Sequence, residues 1–251
     1  MVLTNKRGLP KAFELAVRND EYNPGRSDIT VTGLLQPPRI RALYDLHKDE
    51  VVEDVSDRVW SLFGSALHVI LERAGAEAGD AVEERLYTIV RKWVIGGKYD
   101  SLRIKEGTLT DYKTTSVFTR IYHSRDDDWT TQLNLLAALC RLNDISPISN
   151  LSIVALYRDW AESKVDGKNY PQSNVEEIPI DCWPQDECMA KMEELVEKHQ
   201  LAEEVLPLCS NEDRWLDKRT GKYRRCERYC SVAQFCTQFQ SSKEVGDVDE
   251  K

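Results

Sequence analysis

The stretch from Val82 to Lys113 constrains the fold more than any other part of the chain, because its apolar residues are spaced as in strands rather than helices. Leu86, Ile89, Val90, Trp93, Val94, Ile95, Tyr99, Leu102, Ile104, Leu109 and Tyr112 carry the pattern, and Gly96-Gly97 and Gly107 are expected to interrupt it. Helical spacing lies on both sides. Upstream, one helix is expected from Pro37-Pro38 to about His47. A longer one is expected from an Asp57 N-cap to about Ala76, burying a stripe of Val59, Phe63, Ala66, Leu67, Ile70 and Ala74. A short strand is read at Ile29 to Leu34, and Pro24-Gly25 closes an N-terminal segment. Downstream, helices are expected over Trp129 to Leu142 and Gln185 to Val205, with strands at Ile153 to Tyr157 and Glu177 to Asp181. This order predicts an α/β (α+β) fold in which helices flank a mixed central sheet.

Within the strand-patterned run, Asp100, Asp111 and Lys113 are out of place, since Asp and Lys are poor strand residues. Asp111 and Lys113 are two apart and share one face of a strand. If Lys105-Glu106 forms the loop, Asp100 falls opposite Asp111; if Glu106-Gly107 forms it, Asp100 falls opposite Lys113. Both registers gather the three groups on one face, whereas a three-residue loop would break that parity. Facing carboxylates repel, and a divalent cation between them removes the conflict while giving the pair a task, the activation of water against a phosphate ester. The competing reading is an exposed hairpin with a surface Asp–Lys pair of little energetic weight. His68, beside the apolar stripe of the long helix on its Gly64/Leu71 side, and Gln132, in line with Leu135 and Leu136, are further candidates. Each alone reads more readily as a packed polar side chain than as a site residue.

The net charge of −9 weighs weakly against a nucleic-acid partner, but Arg214 to Arg228 holds seven basic residues: Arg214, Lys218, Arg219, Lys222, Arg224, Arg225 and Arg228. Seven cysteines, an odd count with no signal peptide, disfavour a disulfide framework, and their crowding near one end points to metal. No apolar stretch approaches the roughly 20 residues of a membrane span, so a cytoplasmic protein is expected.

Taken in order, Gly64-x-x-x-His68, Gly97-x-x-Asp100, Asp111-Tyr112-Lys113-Thr114 and Gln132-x-x-x-Leu136 resemble the motif series of the RecB-like PD-(D/E)XK nucleases. The resemblance implies a restriction-endonuclease-like core. It also implies Mg²⁺ or Mn²⁺ on His68, Asp100 and Asp111 with the Tyr112 carbonyl, a catalytic Lys113 and a supporting Gln132. The family often has a tyrosine where Leu136 stands, and some members use an upstream glutamate, for which Glu83 and Glu84 are both available. Cys226-x3-Cys230-x5-Cys236 resembles the last three cysteines of family members carrying a [4Fe–4S] cluster, such as the nuclease of CRISPR adaptation. Relatives place the fourth near the N-terminus, where this chain has Pro37-Pro38, and Cys209 is the substitute. Zinc is the alternative metal.

The implied protein is a DNA exonuclease acting on single strands or ends in replication, recombination or repair, in a phage or bacterial setting. Its expected partners are DNA, through Lys218, Arg219, Lys222, Arg224, Arg225 and Arg228, and replication, recombination or CRISPR-adaptation proteins. The alternative is a non-catalytic DNA-binding adaptor of the same fold in CRISPR adaptation or phage counter-defence. The expected division is an N-terminal segment (1–56), the nuclease core (57–206), a cysteine-rich basic segment (207–240) and a disordered acidic tail (241–251).

Overall fold

The computed structural model describes residues 1–20, 23–145 and 147–246. In chain order its elements are β1 (Val2–Thr4), α1 (Lys11–Asn19), β2 (Ile29–Thr30), α2 (Val31–Leu34), α3 (Pro38–His47), β3 (Val52–Asp54), α4 (Val59–Ala78), β4 (Ala81–Val82), β5 (Arg85–Val90), β6 (Trp93–Lys98), β7 (Ser101–Arg103), β8 (Thr108–Thr115), α5 (Val117–Ile121), α6 (Asp126–Leu142), β9 (Asn150–Tyr157), β10 (Val175–Ile180), α7 (Gln185–Glu204), α8 (Arg224–Arg228) and α9 (Thr237–Gly246). The class is mixed α/β, as expected, with mixed sheets and helices packed on them. No helix among the described residues is long and apolar enough to cross a membrane.

The chain forms two compact units that interleave in sequence. One comprises Met1–Glu21, Gln36–Val59 and Leu195–Lys251; the other Tyr22–Leu35 and Trp60–Glu194. The expected serial division is therefore replaced by a nested one. The reason lies in burial: Leu43 and Val51 share one apolar cluster with Val232, Cys236 and Phe239, so the early helix and the cysteine-bearing end need each other for a core. The acidic tail expected from Ser241 is helical in α9 as far as Gly246, and residues 247–251 lie outside the described ones.

The larger unit holds a five-stranded sheet, order β10-β9-β8-β7-β4, and a three-stranded sheet, order β2-β6-β5. In the first, β8 lies between β7, antiparallel, and β9, parallel, which makes the sheet mixed. Helix α6 packs on β5, β6, β8 and β9, and its inner residues Leu133, Leu135, Leu136 and Leu139 are buried.

Several local expectations change. Thr30 Oγ1 accepts the Gly33 N–H at 3.1 Å, which caps α2 and ends the strand after two residues. Asp57 does not cap α4. Its carboxylate accepts the Asp54 N–H at 3.3 Å in a capping box around Asp54, whose Oδ1 accepts the Ser56 N–H at 3.0 Å and opens a 3₁₀ turn, Val55–Arg58, ahead of the helix. Gly96 and Gly97 continue β6 rather than break it, pairing with Tyr87 and Leu86. A Cβ on Gly97 would lie 2.6 Å from side-chain atoms of both Leu136 and Leu139, so glycine is required there for α6 to seat on the sheet. The buried stripe of α4 is also turned from its expected place. Phe63 and Ile70 are exposed, while Gly64, His68 and Leu71 are half-buried and Gly75 is buried. Those four positions recur at helical spacing and form the inward face, which carries a histidine inward.

Candidate active site

The β7–β8 pairing settles the hairpin register. Ser101 faces Thr110, Leu102 faces Leu109 and Arg103 faces Thr108. Continued by one residue, this register brings Asp100 opposite Asp111, the arrangement expected when Lys105-Glu106 forms the loop. Gly107 closes the turn with φ +60°, and a Cβ there would meet the Pro147 carbonyl at 2.9 Å.

Asp100 sits just before β7, buried, and uses its two oxygens differently. Oδ2 accepts the Tyr112 N–H at 2.7 Å, while Oδ1 lies 3.3 Å from His68 Nδ1. Glu83 reaches the same place by a backbone route, because its N–H donates to the Asp100 carbonyl at 3.3 Å. Its carboxylate Oε1 lies 3.8 Å from His68 Nδ1, and Lys98 Nζ pairs with its other oxygen. Glu83 holds φ at +53°, a left-handed conformation that a non-glycine residue adopts at a cost. Between the two candidate glutamates the structure selects Glu83; Glu84 instead accepts the Tyr99 hydroxyl at 3.0 Å.

His68, Glu83 and Asp100 thus present ligand atoms within 4.8 Å of one another. Hydrogen bonds to Asp100 and then Glu83 raise the His68 pKa to about 10, against the opposing effect of burial. Burial pushes the Glu83 carboxyl up, but His68 and Lys98 outweigh it and hold the group below its ordinary value. These groups have the donor set of a divalent-cation site, and without a cation the His68 imidazolium and the Lys98 ammonium balance the two acids.

Asp111 is buried on β8 and turned towards Lys113, with Nζ 2.6 Å from Oδ2. That approach is off the hydrogen-bonding direction, so Oδ2 has an ion contact but no directed hydrogen bond. Burial drives the Asp111 carboxyl above its ordinary value, Lys113 pulls it back, and the Asp100 charge adds to the rise. Gln132 ties the pair together. Its Oε1 accepts from Lys113 Nζ at 3.1 Å, and its Nε2 donates to Asp111 Oδ1 at 3.3 Å and to Thr32 Oγ1 at 3.5 Å. All the residues expected here, His68, Asp100, Asp111, Tyr112, Lys113 and Gln132, therefore meet in one region. Tyr112 adds its N–H and a ring edge-on to His68 at 6.3 Å between centroids. Lys98 and Thr32 were not anticipated. Lys98, the residue after the close-packed Gly97, carried a readable signal, whereas Thr32 is in touch only through the tertiary fold.

In the other unit, Cys209, Cys226, Cys230 and Cys236 line one cavity with Arg39, Asp213, Arg214 and Arg225. No three of these sulfurs lie within 4.8 Å of one another among the described residues. That spacing is wider than the roughly 3.8 Å edge of a tetrahedral zinc–thiolate site with bonds of about 2.3 Å. Burial pushes the Cys209 thiol up to about 12 and raises Cys230 as well, so these side chains are held as neutral thiols.

The basic stretch divides in two. Lys218, Arg219 and Lys222 stand exposed on a hairpin tip closed by the Leu216–Tyr223 bridge, where Asp217 Oδ1 accepts the Arg219 N–H at 2.9 Å. Arg224 and Arg228 are exposed on α8. Arg225, expected to face DNA, is half-buried instead: it donates to the Asp213 carbonyl at 3.2 Å and lies over the Trp215 ring. Its planar guanidinium is used to hold the loop.

No protein-family model matches the chain, and no curated protein matches it by sequence. Among solved structures it is similar to the crystal structure of SSO0001, with a TM-score of 0.57 and 16% identity over 90% of this chain and 94% of that one. At that identity the likeness is one of fold alone.

Proposed function

We propose that the chain is a metal-dependent deoxyribonuclease of the PD-(D/E)XK type, related to the RecB-like nucleases and working in the cytoplasm on single-stranded DNA or DNA ends. The observation that carries this reading is Lys113, held 2.6 Å from Asp111 and 3.1 Å from Gln132 on the strand that faces the His68, Glu83 and Asp100 group. Mg²⁺ or Mn²⁺ bound there would polarise a phosphoryl oxygen and acidify a water. His68, Glu83 and Asp100 would hold it, and the imidazole makes Mn²⁺ as acceptable as Mg²⁺. Asp111 Oδ2, buried with a free lone-pair direction, is the next donor in line.

Lys113 supplies a fixed positive charge where negative charge grows on the scissile phosphate, and it orients the attacking water. Gln132 keeps the ammonium from turning wholly to Asp111. The exposed cations of the 217–222 tip and of α8 are assigned to the DNA backbone. The thiol set fits a metal through its four sulfur donors, a [4Fe–4S] cluster by its resemblance to cluster-bearing relatives, with zinc as the alternative. An absorbance spectrum and iron and zinc analysis of anaerobically purified protein test that assignment; a colourless protein with stoichiometric zinc rejects the cluster.

The test of activity uses end-labelled single- and double-stranded DNA with Mn²⁺. Lys113→Ala and Asp111→Ala should each lower cleavage by on the order of 100-fold or more with the circular dichroism unchanged. Full activity in both variants refutes the site. Wild-type binding without cleavage points to the adaptor reading.

A further inference from the structure

Arg39 lies in the first turn of α3 with only 4% of its surface exposed. A guanidinium cannot shed its charge, so its burial demands compensation. Its partners are the Leu206 carbonyl at 3.0 Å, the Pro207 carbonyl at 3.4 Å, the Thr237 hydroxyl at 3.0 Å and, through Nε, Cys236 Sγ at 3.2 Å. Among the described residues none of these is a carboxylate. Asp213 lines the same cavity, but its Oδ2 is engaged by the Ser210 N–H at 2.9 Å. Arg214 and Arg225 line it too, so three cations and one acid surround four thiols. With neutral thiols that cavity holds a buried positive excess, which is unfavourable. Four thiolates around a metal carry a net negative charge and remove the excess.

We infer that Arg39 is the built-in counter-charge of an anionic, thiolate-ligated metal group, delivered through the hydrogen bond from Nε to Cys236 Sγ. This rests on the thiol-site reading above and adds to it a residue outside the ligand set. Hydrogen bonds and positive charge at a ligand sulfur stabilise the metal-bound thiolate and, in an iron–sulfur cluster, favour the reduced form.

The experiment compares anaerobically purified wild type, Arg39→Gln and Arg39→Lys for metal content, the rate of metal loss to a chelator and, where iron is present, the reduction potential of the bound group. The glutamine variant should lose metal on the order of tenfold faster, a modest effect for truncating one member of a buried charge pair, and its potential should fall. The lysine variant, which keeps the charge, should stay close to wild type on both measures. Equal release and equal potential in the glutamine variant overturn the inference. So does a lysine variant as impaired as the glutamine one, because the role would then be the fork to Leu206, Pro207 and Thr237. If the glutamine variant does not fold, the lysine comparison still decides. A wild type without metal on its thiols removes the thiol-site reading itself, and metal analysis reports that separately.

Discussion

The Tyr112 N–H donates to Asp100 Oδ2 at 2.7 Å, which pins that carboxylate across the hairpin and leaves its other oxygen aimed at His68. One oxygen therefore serves the strand and the other serves the site. Asp100→Asn can keep the first bond and must lose a charged donor. Mn²⁺ affinity, measured by calorimetry, should fall by about 10- to 100-fold or more, while the thermal unfolding midpoint stays close to wild type. An unchanged affinity removes Asp100 from the ligand set.

His68 makes the metal-free protein sensitive to alkali. Its pKa is raised from 6.5 to about 10 by Asp100 and Glu83, so the folded state holds a proton that the unfolded state releases. That contribution to stability is complete below pH 6.5 and disappears as pH climbs through about 10. Thermal melts in chelator should show the midpoint falling over this window, and His68→Gln should flatten the fall. Mn²⁺ must displace the same proton, so binding near neutral pH should release it to the buffer. Identical pH profiles for the two proteins would contradict this.

Gly97→Ala tests the seat of α6. The added Cβ would stand 2.6 Å from Leu136 and Leu139 side-chain atoms, and both are buried, so the helix or the strand must shift. Urea unfolding should show a loss of about 1–3 kcal/mol. Because Gln132 lies one turn before Leu136 on the same helix, DNA cleavage should suffer beyond the loss in stability.

Reversing Lys218, Arg219 and Lys222 to Glu together should weaken DNA binding with little effect on folding, since all three side chains are exposed. The slope of log affinity against log salt should flatten by roughly 0.7 to 0.9 for each phosphate contact removed. An unaltered slope would leave the hairpin tip without a role in DNA binding. The same reversal at Arg225 should instead destabilise the loop, because this side chain is tied to Asp213 and Trp215.

The site was more legible in the sequence than the packing around it. Alternation in strands is strict, so the sequence places Asp100, Asp111 and Lys113 on one face for either two-residue loop, and the observed register is one of those two. Helix periodicity located His68 and Gln132, but it misjudged which side of α4 turns inward: Phe63 and Ile70 stand exposed, while Gly75 is the position packed close, against Val82. Glu83 could not be separated from Glu84 because adjacent residues are distinguished here by a positive φ, which no pattern of side chains announces. Arg39 was invisible for a different reason. A buried cation looks like a surface one until the fold brings sulfur to it.

Arg39 and Cys236 meet across 197 positions, and the intervening chain contains the longer segment of the larger unit, Trp60–Glu194. A growing chain emerges from its N-terminal side, so α3 must wait for its core while residues 60–194 can already fold. Closure of that loop is a long-range event with a correspondingly high entropic threshold. The thiol-bearing segment is thus the last part of its unit to join the early helix, and a metal captured there would latch these two sequence-distant pieces to each other.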